Sequence, residues 1–183
     1  MAEYLSKFYE SLAHKDVFSV TWELVPGRGA FEKDQEEVIS DAGKAATGGK
    51  IHALTLTDNP GGNPAISAEF LDAEVKRLGI EPLVHFTCKD KNRNQLEALL
   101  HGLERAEARN LLVMTGDYTY SGHKGRSKPV FDLDPTQLLG LIGEMNKGLE
   151  LHTPRGTANL NLRAGARCTL GRSSASTCAP MPG

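Results

Sequence analysis

The stretch "LLVMTGDY", residues 111–118, decides how the rest of the chain is read. Leu111, Leu112, Val113 and Met114 form an apolar run with no polar alternation. Such a run, closed by a glycine, predicts a strand buried on both faces. Strands of that kind belong to parallel sheets covered by helices. The strand stops at Gly116 and delivers Asp117 to the edge of the fold. Asp117 is then either a turn cap or a member of a site.

Working outward, the same unit recurs. Upstream, "EYLSKFYESL" carries Leu5, Phe8, Tyr9 and Leu12 at helical spacing and predicts an opening helix. "VFSVTWEL" (17–24) is β-branched and aromatic, a strand. After the loop "VPGRGAF", Asp34 precedes a helix with Val38, Ile39, Ala42, Ala45 and Ala46 on one side, stopped by "TGG" at 47–49. "IHALTLT" (51–57) predicts the second strand. Asn63 and Pro64 read as an N-cap and first turn for a helix with Phe70, Leu71, Val75 and Leu78 on its buried stripe. "EPLVHFT" (81–87) predicts the third strand, and Leu96, Leu99, Leu100 and Leu103 the next helix. Asp134-Pro135-Thr136-Gln137 predicts a capped helix start before Leu138, Leu139, Leu141, Ile142 and Met145.

One helix followed by four strand–helix units predicts a parallel α/β fold. The chain has neither GxGxxG after its first strand nor GxxxxGK[ST] anywhere. Without the nucleotide fingerprints of open doubly wound sheets, a barrel is favoured. A full (β/α)8 barrel needs eight units and about 250 residues. The expectation is a (β/α)8 TIM-barrel type fold with only about the first four units present.

Composition bounds the rest. The 183 residues are 39% hydrophobic and 24% charged, with net charge −2. That suits one globular domain and argues against nucleic acid or an anionic membrane as partner. No apolar run reaches the ~20 residues of a membrane span. The charged start predicts a cytoplasmic protein. Cys88, Cys168 and Cys178 are far apart, and HxxC at 85–88 is too sparse for a metal site, so no metal is expected.

The charge balance breaks near residue 150. Residues 1–150 hold 17 Lys and Arg against 23 Asp and Glu; residues 151–183 hold four Arg and no acid. The tail has no Val, Ile, Phe, Trp or Tyr, and about half of it is Gly, Ala, Ser or Thr. Such a segment buries little apolar surface and is expected to be largely disordered. A truncated or disrupted reading frame produces this composition, and so does a natural flexible extension. Two regions follow: a half-barrel over 1–150 and a low-complexity basic tail over 151–183.

In parallel α/β folds, sites collect at the carboxyl ends of strands. Those ends hold Glu23, then Thr57 and Asp58, then His85 and Thr87, then Thr115, Gly116 and Asp117. Each alone reads as an ordinary surfacing polar residue. Four in turn point to a shared pocket. Glu23 sits among apolar neighbours, which suits a general acid; pairing with Arg28 or capping a loop is the alternative. His85 reads as a hydrogen-bonded core histidine or as a site residue. "DYTYSGHKGRSKPVFDLD" is a long glycine- and lysine-bearing loop of the kind that closes over ligands, or a solvated surface loop. No lysine falls on a predicted strand end, which counts against Schiff-base chemistry.

Four motifs in series, "ELVPGRG", "ALTLTDNPGGNP", "PLVHFTCKDKNRNQLEALL" and "LLVMTGDY…GRSKPVFDLD", resemble the flavin-dependent methylenetetrahydrofolate reductases. The resemblance runs from about residue 16 to about 150. It implies a (β/α)8 barrel binding FAD, with NADH or NADPH as hydride donor and 5,10-methylenetetrahydrofolate as the small-molecule substrate. By the resemblance, Glu23 is the catalytic general acid and Asp117 a catalytic carboxylate near the pterin and flavin. Thr57 falls near the flavin, and Asp58, Pro60, His85, Thr115 and Gly116 on or beside flavin contacts, with Phe131 and Asp132 a later pair. Thr115 stands where some members carry arginine. The alternative is a non-catalytic half-barrel binding flavin, a second copy or a partner subunit that completes the sheet.

Overall fold

The computed structural model describes residues 6–119, 127–150 and 157–158. Strand β1 spans Thr21–Leu24, β2 Ala53–Leu56, β3 Glu81–Thr87 and β4 Asn110–Met114. Helix α1 (Lys7–Ala13) precedes them. Helices α2 (Lys33–Gly48), α3 (Ala68–Arg77), α4 (Arg93–Arg105) and α5 (Pro135–Lys147) follow the strands in turn. The sheet order is β1-β2-β3-β4, all parallel. This is the α/β architecture expected, four consecutive units of a (β/α) barrel.

The register explains the two faces of the sheet. Trp22 pairs with Leu54, Leu54 with Pro82, and Val84 with Leu111. Leu54, Leu56, Val84, Phe86, Leu111 and Val113 are buried in one cluster with the helix stripes. Those stripes are Ala42 and Ala45 of α2, Leu71 and Val75 of α3, Leu96 and Leu100 of α4, and Leu138 and Ile142 of α5. Alternate residues face the other, concave side. There Phe8 of α1 packs on Ala53 and Leu83, closing the amino end of the sheet. Ser6 caps α1, its Oγ accepting from Tyr9 N at 3.1 Å, and donates to Glu81 at the start of β3. The sheet thus carries apolar packing at its amino end and polar side chains at its carboxyl end.

Several local readings are corrected. β1 begins at Thr21, not 17: Phe18 is exposed and outside the ladder. β2 is shorter than 51–57 by two residues at its start and one at its end. Asn63 ends a 3-10 turn over Pro60–Gly62, and Ser67 is the N-cap of α3. Phe70 is 80% exposed, because α3 starts four residues later than the Pro64 signal implied and turns that position outward. Tyr9 is also exposed. β3 matches its predicted range, and Asp134 and Gln137 form the full capping box of α5. Leu149–Glu150 and Thr157–Ala158 pair antiparallel as β5 and β6. The expectation of disorder for the remainder of 151–183 lies outside the described residues.

The carboxyl-end loops interlock. Gly62 has φ +71, and a Cβ there would stand 2.2 Å from Tyr118 O. Gly116 has φ +88, and a Cβ there would meet Lys89 Cβ at 2.9 Å and Thr87 Cβ at 3.0 Å. Backbone of the β2–α3 loop therefore lies directly against the segment after β4, which only glycine allows.

One charge is buried in the helix layer. Asp72 of α3 is fully enclosed, with Lys76 Nζ 3.0 Å from Oδ2. The pair is an ion contact rather than an aligned hydrogen bond, and Oδ1 has no donor. Burial raises the Asp72 carboxyl above its usual range, more than Lys76 and Arg109 lower it.

Two outcomes are expected. Gly62→Ala and Gly79→Ala both place a side chain at positive φ, but Gly79 has open space around it. Gly62→Ala should cost about 2 kcal/mol more than Gly79→Ala in urea unfolding; equal losses would deny the interlock. For Asp72, the folded carboxyl holds its proton more tightly than the unfolded one, so its penalty is present above the raised folded value and fades as pH falls toward the unfolded value. Wild-type stability should therefore improve relative to Asp72→Asn between pH 7 and pH 4, and a difference independent of pH would contradict this.

Candidate active site at the carboxyl ends of the strands

The site is built from the turns that follow each strand. β1 ends near Glu23, which projects from the concave face. Glu23 is exposed, contrary to the burial expected from its apolar neighbours. The reason is positional: β1 is an edge strand among the described residues, so one flank of Glu23 is open.

After β2, Thr57 and Asp58 are buried. Thr57 N donates to Leu24 O at 3.2 Å, extending the β1–β2 ladder. Asp58 Oδ2 accepts from Thr87 Oγ1 at 2.6 Å and from Lys91 Nζ. Asn59 adopts the left-handed conformation, φ +46, and its Oδ1 accepts from Ala65 N at 3.0 Å. That turn sets up the 3-10 turn opened by Pro60. Gly61 N then donates to Asp117 Oδ2 at 2.8 Å.

His85 on β3 is 8% exposed. Burial holds its imidazole below the usual histidine range, while Glu23 and Asp58 pull the other way. The three groups therefore share one electrostatic neighbourhood. A neutral imidazole offers one donor and one acceptor to a ligand edge.

After β4, Thr115 is exposed and its carbonyl accepts from Lys89 N at 3.1 Å. Gly116 makes the close turn, and Asp117 stays exposed at its tip. Asp117 caps the Pro60–Gly62 turn through Oδ2, the first of the two readings the sequence offers, and its side chain stays exposed to solvent. Phe131 lies farther along the loop, its ring 5.2 Å from that of Tyr118. Asp132 is exposed, and its Oδ2 accepts from Arg93 N at 2.9 Å at the start of α4. The tip of the predicted closing loop, residues 120–126, lies outside the described residues.

The structure brings Glu23, Thr57, Asp58 and His85 together on the concave face, and Pro60, Thr115, Gly116 and Asp117 together on the adjoining rim. Phe131 sets its ring against Tyr118 beside that rim while its backbone bridges to Lys91, and Asp132 bonds the start of α4. Two residues escaped the sequence reading: Lys89 and Lys91. Both lie just beyond β3, and the Lys89 side chain is almost fully enclosed, with Nζ 3.3 Å from Asp90 Oδ2. The "CKDK" run looks like a solvated charge cluster. No periodicity marks its lysines as inward, because the turn at Asp90, φ +60, is what folds them back.

The donor set meets part of what a flavin needs. Thr57, His85 and Thr87 are all buried and the Thr87 hydroxyl is spent on Asp58, so the His85 imidazole is the group left to meet the polar edge of a planar heteroaromatic ring. The carboxylates of Glu23, Asp58 and Asp117 make the same end a poor place for a pyrophosphate. The described residues fit the ring portion. A separate cavity of about 710 Å3 lies at the opposite, amino end, lined by Lys7, His14, His52 and Glu81 among others. Its polar groups are largely spent on packing: His52 Nδ1 accepts from Val20 N, and Glu81 accepts from Ser6 and Asn110.

No curated protein matches the chain in a sequence search. A family model described as Methylenetetrahydrofolate reductase matches residues 7–146, from α1 to the last turn of α5. That span covers every strand of the parallel sheet and every residue of the carboxyl-end site. The chain belongs to the methylenetetrahydrofolate reductase family.

Proposed function

We propose that the carboxyl-end site serves reduction of 5,10-methylenetetrahydrofolate to 5-methyltetrahydrofolate, with FAD as cofactor and NADH or NADPH as co-substrate. The observation that carries this reading is the convergence of Glu23, His85 and Asp117 at one end of a parallel sheet in a chain of this family. A bound flavin would supply hydride storage, taking two electrons from the nicotinamide and giving them to the folate.

The chain's own residues do the remaining work. Glu23 gives a proton to the folate nitrogen whose loss of bonding opens the five-membered ring. The folate carbon left behind is a cationic iminium, the acceptor of hydride. Asp117, oriented by Gly61 N, sets a fixed negative charge that favours that cation. Thr57 and His85 orient the ring edge of the cofactor. An exposed Glu23 in the ligand-free protein is compatible with this role, because bound folate would itself cover the carboxyl group and exclude water. This reading places the protein in the cytoplasm, in one-carbon metabolism that feeds methionine synthesis.

A second reading has one observation in its favour. Among the described residues, β1 and β4 each pair on one side only. Bare parallel edges attract further strands. A second copy or a partner subunit completing the sheet would satisfy both edges, and flavin binding without turnover would accompany it.

Two outcomes follow. Soaking with FAD should give protein-bound flavin absorbance that NADH bleaches anaerobically; no bound flavin denies the flavoenzyme reading, and flavin that NADH leaves oxidised supports the binding-only reading. Glu23→Gln should keep NADH-driven bleaching and lose folate-driven reoxidation by about 100-fold or more. Loss of both would remove Glu23 from its role.

A further inference from the structure

Lys91 is the residue whose placement is hardest to explain as packing. It follows β3 by four positions, yet its side chain is only 13% exposed. Its ammonium reaches three acceptors: Asp58 Oδ2, Thr87 Oγ1 at 3.2 Å and Thr87 O at 3.4 Å. It also lies 5.8 Å from the centre of the Phe86 ring. Thr87 Oγ1 donates in turn to Asp58 Oδ2. Asp58, Thr87 and Lys91 thus form a closed ring of charge-assisted hydrogen bonds across the ends of β2 and β3.

A buried ion pair of this kind adds little net stability over well-packed apolar residues. Its use is to fix geometry and local charge. The backbone of Lys91 is fixed as well: it bridges to Phe131, and Asp90 N donates to Val130 O at 2.8 Å. Lys91 therefore joins three loops of the site, those after β2, β3 and β4.

We propose that Lys91 is a positioning residue of the carboxyl-end site, holding the Asp58 carboxylate against Thr87 and so fixing the charge that Asp58 presents to His85. The proposal rests on this end of the sheet being the functional one. Two charged groups act on His85: Glu23 from β1 and Asp58 from the end of β2. β4 sets the uncharged Leu112 opposite it. With the Lys91 ammonium in contact, part of the Asp58 field is cancelled before it reaches the imidazole. Without it, Asp58 stands uncompensated and favours the imidazolium, which has lost the acceptor nitrogen a ligand would use.

The test is an NMR titration of the His85 ring in the ligand-free protein. Lys91→Met should raise the His85 midpoint by about one pH unit. Asp58→Asn should lower it, the double variant should return it close to wild type, and Lys91→Arg should leave it unmoved. Shifts of the same sign in both single variants, or no shift in either, would overturn the proposal and leave Lys91 as a loop staple. If Lys91→Met does not fold, Lys91→Gln takes its place: a raised midpoint supports the coupling and an unchanged one refutes it. No folate or flavin enters the titration, so its failure is distinct from failure of the catalytic reading. A protein that binds no flavin but shows the opposed shifts keeps the coupling and loses the proposed function.

Discussion

Parallel pairing on both sides of β3 is the constraint on which the rest of the structure depends. Leu83 aligns with Thr55 on one side and Asn110 on the other, so three strands point their carboxyl ends the same way. Parallel strands require a crossover between each pair, and helices α2 to α4 provide them on one face. The apolar alternate residues of β2, β3 and β4 commit that face to the helices. The polar residues that remain, Thr55, Thr57, His85 and Thr87, can only project to the other side. Polar side chains collect at the carboxyl end because the sheet is parallel, not because any single motif demands it.

That edge is held by contacts of two kinds. Steric ones bring the loop backbones together, as at Gly62 against Tyr118 and Gly116 against Lys89 and Thr87. Electrostatic ones place charge within the assembled rim. Gly61 N fixes Asp117, and Lys91 and Thr87 fix Asp58. The two kinds differ in consequence. A side chain at either glycine would clash with the facing loop, whereas removing a charge partner is expected to change the field around His85.

Much of this was legible in the sequence, for physical reasons that differ by element. β3 and the capping box at Asp134 were read correctly because their signals are local: a closed apolar run and a side chain bonding three residues ahead. The start of α3 was misread because Asn63-Pro64 is a good start signal, but Gly61 and Gly62 draw that segment into a turn against Tyr118 instead. The apolar sequence neighbours of Glu23 point to burial, but neighbours in sequence are not neighbours in space on an edge strand. Lys91 was missed for the converse reason. Its partners are Asp58 and Thr87, 33 and four positions away, and only the turn at Asp90 brings them within reach.

The proposed function resides at the carboxyl ends of the strands and not in the cavity at the amino end. Mapping backbone and histidine-ring chemical shifts during an FAD titration tests it most directly. The account predicts perturbations at Thr57, His85, Thr115 and Gly116, with His14 and His52 unchanged. Perturbations centred on His14 and His52, with His85 silent, would contradict it.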